Sequence, residues 1–132
     1  MILIDSNVII SYINKDDSKH KEALLLLNRI MNKEYGNYII SDYIFDEIAT
    51  VAFLRTNRKE AFKIGDFLLE NVDIIKIVNK LFFDSWTLFK QYKKLSFTDC
   101  TNLAIMKELG INAIATFDKD FIKEVSGIEI MH

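Results

Sequence analysis

Four carboxylates stand at the edges of apolar segments spread along the chain: Asp5, Glu47, Asp99 and Asp118. Asp5 closes the run Met1-Ile2-Leu3-Ile4, and Asp118 follows Ala113-Ile114-Ala115-Thr116-Phe117. Glu47 and Asp99 fall in the first turns of stretches with helical periodicity. A carboxylate drawn out of water costs free energy unless something compensates it. At an effective dielectric of about 20, two unit charges roughly 4 Å apart repel by about 4 kcal/mol, so converging acids require a cation or a changed protonation state. An all-oxygen set suits Mg²⁺ or Mn²⁺, and the chain has no His/Cys pair at zinc-ligand spacing. The chemistry indicated is metal-dependent hydrolysis.

Each acid also has a structural role open to it. Asp5 can cap the helix that follows, although Ser6 and Asn7 can do the same and leave Asp5 to face a site. Ser96-Phe97-Thr98-Asp99 has the form of a capping box, and Leu103 one turn on places Asp99 at the border of a buried face. Thr116-Phe117-Asp118-Lys119-Asp120-Phe121 reads as a loop in which Asp118 or Asp120 caps a short helix. Glu47 is different. It lies three residues after Ile44 and four before Val51, a spacing that predicts the inward face of its helix and a partly desolvated carboxylate. Arg55 is too far along that helix to pair with it.

The elements that must position these groups alternate. Short apolar runs at Ile2–Ile4, Tyr38–Ile40, Asp73–Val78, Ala113–Thr116 and Ile128–Met131 read as strands. Helical periodicity covers Ser6–Ile13, Ser18–Lys33, Asp42–Thr56, Arg58–Glu70, Lys80–Lys93, Phe97–Leu109 and Lys119–Val125. Leu24, Leu27, Ile30 and Met31 form the expected apolar stripe of the second helix, and Gly110 stands where a helix-ending glycine is expected. Such alternation predicts a three-layer α/β/α sandwich around a central parallel sheet of four to five strands, with the alternating last strand at an edge. Open sheets of this class place their sites beyond the carboxyl ends of the strands, where Asp5 and Asp118 both fall.

Composition narrows the class. The 132 residues, without proline or a low-complexity linker, predict a single domain over 1–132. Apolar residues make up 50 % and charged residues 27 %, no apolar stretch approaches the length of a membrane span, and no leader peptide is expected. The single cysteine, Cys100, rules out an internal disulfide and fits a reducing, cytoplasmic setting. A net charge of −2 gives no long-range attraction for nucleic acid, so an RNA substrate would rely on local basic residues, metal or a second subunit. Lys90, Lys93 and Lys94 form one loose basic group, and Arg55, Arg58 and Lys59 another. Both read most simply as solvated helix faces.

Taken in order, Ile2-Leu3-Ile4-Asp5-Ser6-Asn7, Glu47, Leu95-Ser96-Phe97-Thr98-Asp99-Cys100 and Ala115-Thr116-Phe117-Asp118-Lys119-Asp120-Phe121 resemble the PIN-domain nucleases. Among these, the similarity is to the VapC-like toxin ribonucleases of toxin–antitoxin pairs, and it spans essentially the full chain. The resemblance implies a Mg²⁺ or Mn²⁺ site formed by Asp5, Glu47, Asp99 and Asp118, with endonucleolytic hydrolysis of RNA. It also implies that Thr116 and Asn7 orient the acids, that Cys100 is a buried inert thiol, and that His20 is structural. Asp118 matches the family position better than Asp120, for which the resemblance leaves only an assisting role through a second metal or a water. A cognate antitoxin is expected near Ile44–Leu54 or over the acids, together with a homodimer.

Rival readings remain at this level. An aspartyl-phosphate enzyme of the haloacid-dehalogenase type would want an acid where Asn7 stands, and no glycine-rich phosphate loop is present. A housekeeping RNA-processing PIN nuclease, or a non-catalytic α/β interaction module whose acids are only caps, would share the same pattern.

Overall fold

The computed structural model describes residues 1–132. Its elements run β1 (Ile2–Ile4), α1 (Ser6–Ile13), α2 (His20–Met31), β2 (Tyr38–Ser41), α3 (Asp42–Arg55), α4 (Arg58–Asn71), β3 (Asp73–Ile75), α5 (Lys80–Gln91), α6 (Phe97–Leu109), β4 (Ala113–Ala115), α7 (Lys119–Glu124) and β5 (Glu129–Met131). The five strands form one sheet in the order β3-β2-β1-β4-β5, and every pairing is parallel. β5 is an edge, as its alternation predicts; β3 is the other.

The strand order explains the layers. From β1 the chain steps outward to β2 and then β3, and afterwards jumps back to β4 and continues to β5. Parallel crossovers are right-handed in nearly all proteins, so reversing the direction moves the helices to the opposite face. Helices α1 to α4 therefore cover one face and α5 to α7 the other. α1 packs on α2 and α3, α3 on α4, and α5 on α6. Ile2, Leu3 and Ile4 of β1 are buried on both sides, which is why this strand is continuously apolar. The reversal lies between β1 and β4, whose register pairs Ile4 with Ala115. That is the switch point at which an open α/β sheet forms a crevice.

Several boundaries differ from the sequence-based expectation for local reasons. α2 starts at His20, because Asn14 and Asp17 turn the preceding loop by accepting from the Asp16 and Lys19 backbone N–H groups. Its buried stripe is Ala23, Leu26 and Ile30, while Leu24 and Met31 are exposed. The stripe is rotated by about one residue from the expected one. β3 ends at Ile75 because the Ile77 N–H donates to Asp42 Oδ1 (3.0 Å) rather than to the ladder. α6 ends on Gly110 in the left-handed region (φ 66°) as expected.

Candidate active site

Asp5 leaves the end of β1 and caps α1, so its carboxylate is held where strand and helix meet. Oδ1 accepts from the Ser6 N–H (2.9 Å) and from Asn102 Nδ2 (3.4 Å); Oδ2 accepts from Thr116 Oγ1 (2.8 Å) and Asn7 Nδ2 (3.0 Å). The network reaches across the switch point. Asn7 Nδ2 also donates to Thr116 Oγ1 (3.1 Å), Asn7 Oδ1 accepts from the Phe117 N–H (2.9 Å), and Thr116 Oγ1 accepts from the Asp118 N–H (3.1 Å). Asn7 and Thr116 thus orient Asp5 and the loop bearing Asp118. Capping and site-building are the same act here: Asp5 is the cap, and neither Ser6 nor Asn7 replaces it.

Burial pushes the Asp5 pKa up to about 6. The Thr116 hydrogen bond opposes the shift, and the charges of Asp99 and Glu47 add to it. Asp99 sits in the predicted capping box: its N–H donates to Ser96 Oγ (3.1 Å), and its Oδ2 accepts from the Ser96 N–H (2.9 Å). Its pKa is also raised, first by burial and then by Asp118 and Glu47, with hydrogen bonds from Ser96 opposing. Asp118 caps α7 through Oδ1, which accepts from the Asp120 and Phe121 N–H groups (2.8 and 3.1 Å). Asp120 supplies only a backbone donor to that cap.

Glu47 corrects an expectation. The helix buries Ile44, Ile48 and Ala52, a stripe one residue removed from Glu47, and the glutamate is exposed rather than desolvated. What fixes it is the Ser6 hydroxyl, which donates to Glu47 Oε2 (2.9 Å) and ties α3 to the start of α1. Sequence reasoning missed this bond, and it also missed Asn102. That asparagine is fully buried three residues after Asp99, close to Asp5, and its Oδ1 has no hydrogen-bond partner. Helical spacing from Asp99 was the signal that could have found it.

The four acids act on one another electrostatically, yet no ion pair of the chain includes any of them. They lie near enough to repel one another without closing on a point: no three His, Cys, Asp or Glu side chains meet as a ready-made ion cage. As donors they still fit a hard divalent cation, being carboxylate oxygens with an unpaired amide oxygen beside them. Cys100 is buried, and burial pushes its thiol up to about 11, so it is inert. His20 is structural, with Nδ1 3.1 Å from the Ser11 carbonyl oxygen and its ring stacked on Tyr12. Lys19 reaches this end of the molecule, 5.8 Å from the centre of the Phe117 ring.

The sequence matches the PIN domain family over residues 2–127. The chain is a PIN domain. Three solved structures show how closely this PIN domain keeps a shared fold. Mycobacterium tuberculosis VapC20, a sarcin-ricin loop cleaving toxin, superposes with a TM-score of 0.83 at 21 % identity, covering 100 % of both chains. A toxin–antitoxin complex from Klebsiella pneumoniae gives 0.71 at 19 % identity over 100 % of this chain and 98 % of the other. VapBC2 from Rickettsia felis, bound to a promoter DNA fragment, gives 0.70 at 16 % identity over 98 % and 97 %. No curated protein is similar enough in sequence to match. No helix of the PIN domain is long and apolar enough to cross a membrane.

Proposed function

We propose that this PIN domain is a Mg²⁺- or Mn²⁺-dependent endoribonuclease, the toxin of a VapBC-type pair. The observation that carries the proposal is the mutual repulsion of Asp5, Glu47, Asp99 and Asp118 near the switch point with no protein cation paired to any of them. Burying Asp5 beside other acids makes its ionised form costly, and a divalent cation removes that cost. Asp5, Glu47, Asp99 and Asp118 would hold it. Once bound, it would supply positive charge for a scissile phosphate and acidify water near neutral pH.

The chain's own part is orientation. Thr116 and Asn7 aim the Asp5 oxygens, Ser6 holds Glu47, and the capping box holds Asp99. In-line hydrolysis leaves 5′-phosphate and 3′-hydroxyl ends. Products carrying a 2′,3′-cyclic phosphate would instead require attack by the ribose hydroxyl and refute the mechanism.

The toxin assignment is supported by structural neighbours determined as toxin–antitoxin complexes. A protein partner is supported further by the groove of about 390 Å³ between α3 and α4, where Phe53, Phe62 and Leu69 are exposed. A cognate antitoxin seated there is part of the reading, as is a homodimer. The decisive experiment is cleavage of a structured RNA panel with Mg²⁺, Mn²⁺ or EDTA, comparing wild type with Asp99→Asn. Cleavage that survives both EDTA and Asp99→Asn would refute the metal-site reading. A short neighbouring open reading frame with a DNA-binding N-terminus would favour a toxin; its absence would favour RNA processing.

A further inference from the structure

The helix that carries Asp99 brings a second kind of polar group to the acids. Every residue of α6 from Asp99 to Met106 is buried, so this stretch is enclosed by the fold on all sides. Thr101 and Asn102 lie within it, both 0 % exposed, and they place their polar atoms differently. Thr101 Oγ1 donates to the Thr98 carbonyl oxygen (2.6 Å), the local bond by which a hydroxyl is accommodated inside a helix. Asn102 reaches out of its helix instead. Its Nδ2 donates to Asp5 Oδ1, 97 positions away, at 3.4 Å.

Two features set Asn102 apart from an ordinary core residue. Its Oδ1 has no partner among the protein's own groups; Tyr35 and Glu124 also carry an unpartnered oxygen, but both are only partly buried. A buried acceptor left unmade costs about 1–3 kcal/mol, which an apolar side chain of similar branching would avoid. The second feature is direction. Turning the amide round would set Oδ1 against the ionised Asp5 Oδ1, two acceptors with no proton between them. Asp5 therefore fixes which end of the amide stays free.

The free end is an acceptor beside a set of acids, so no carboxylate can satisfy it. A hydrated divalent cation brings both things that are missing: positive charge for the acids, and polarised waters whose hydrogens point outward. Mg²⁺ in particular keeps several of its waters when bound. We propose that Asn102 is a positioning residue of the cation site, its Nδ2 steadying Asp5 while its Oδ1 accepts from a water brought in with the cation. The proposal rests on the metal-site reading of the acids and deepens it. A neutral amide supplies a donor and an acceptor without adding a fifth charge to acids that already repel one another. The unmade bond is then a cost of the metal-free protein that loading removes, so it strengthens cation binding.

Mn²⁺ is the probe, because loss of the free-ion electron paramagnetic resonance signal reads its binding directly. The test compares wild type, Asn102→Leu, Asn102→Ala and Thr101→Val, each first shown to be folded by circular dichroism in EDTA. Thr101→Val disturbs the same buried stretch of α6 without removing a contact to Asp5. The expected result is Mn²⁺ affinity lowered about ten- to a hundredfold in both Asn102 variants and unchanged in Thr101→Val. Mn²⁺ should also raise the Tm of wild type and Thr101→Val more than that of the Asn102 variants. A crystal structure with Mn²⁺ should show a water of the ion within about 3 Å of Asn102 Oδ1. Wild-type Mn²⁺ affinity in both Asn102 variants, or an ion bound directly to Oδ1, overturns the assignment and leaves the metal-site reading intact. An equal loss in Thr101→Val marks general damage to α6 and also overturns it. A wild type that binds no Mn²⁺ fails the metal-site reading itself, and the role of Asn102 with it.

Discussion

Two sets of helix caps do the same local work in different surroundings. α3 and α4 begin on Ser41 and Asn57, neutral residues whose side chains accept from the Ile44 and Glu60 N–H groups at 3.0 and 2.9 Å. Around the switch point, α1 and α7 begin on Asp5 and Asp118, and the capping box of α6 uses Asp99. A neutral oxygen satisfies an orphan N–H as well as a carboxylate does. Three charged caps gathered in one crevice therefore exceed what helix initiation requires. Two of them have raised pKa values, chiefly from burial. On the proposed metal-site reading this excess charge is what would hold a cation, and capping is how the fold immobilises it.

The comparison breaks most sharply at Asp99. Asp99→Asn keeps an oxygen for the Ser96 N–H, so the cap survives while the charge goes. Cleavage is expected to fall roughly a hundred- to a thousandfold, the scale for losing one electrostatic group in a site. Metal-free thermal stability should not fall. If cleavage persists near wild type, the charged caps are only caps.

The pH dependence of stability tests Asp5 next. Its folded-state pKa of about 6 lies above the ordinary value of 3.8, so the fold disfavours the ionised form. The group carries no penalty below the ordinary value, and the penalty grows as pH rises through about 6, reaching roughly 3 kcal/mol near neutrality. Urea unfolding in EDTA should show wild type losing stability relative to Asp5→Asn over that interval. Added Mg²⁺ should restore it. A difference that stays flat with pH would mean Asp5 is not the charged, buried group described.

The supporting network should respond less. Thr116→Val removes the donor to Asp5 Oδ2 and the acceptor for the Asp118 N–H, and about ten- to a hundredfold loss of Mg²⁺ affinity or of cleavage is expected. Calorimetric titration of Mg²⁺ and cleavage rates measure it. The smallest effect belongs to the neutral caps: Ser41→Ala or Asn57→Ala should each cost about 1 kcal/mol, with cleavage per folded molecule unchanged. On a chain of this size that is a Tm shift of about 3–5 °C by scanning calorimetry.

Much of this could be read before the structure was known. Ile2–Ile4 and Ala113–Ala115 were legible as buried strands because both faces demand apolar side chains. The capping box at Ser96 and Asp99 was legible because its partners are three residues apart. Reading failed where a face had to be chosen within about one residue. α2 turned Leu24 and Met31 outward, and α3 turned Glu47 outward, because packing against neighbouring elements selects among stripes that sequence periodicity leaves nearly equivalent. The Ser6–Glu47 bond joins residues 41 positions apart, and no local pattern encodes it.

By itself, then, the sequence determined the order of elements, the parallel α/β class and the identity of the acids, all of which follow from short-range periodicity and residue chemistry. Tertiary structure decided that β1 lies beside β4, so that Asp5 and Asp118 flank one crevice, and that Asn102 and Thr116 meet Asp5 from more than ninety residues away. Strand order and helix rotation are settled by burial and crossover handedness acting on the whole chain, and these are properties no segment possesses alone.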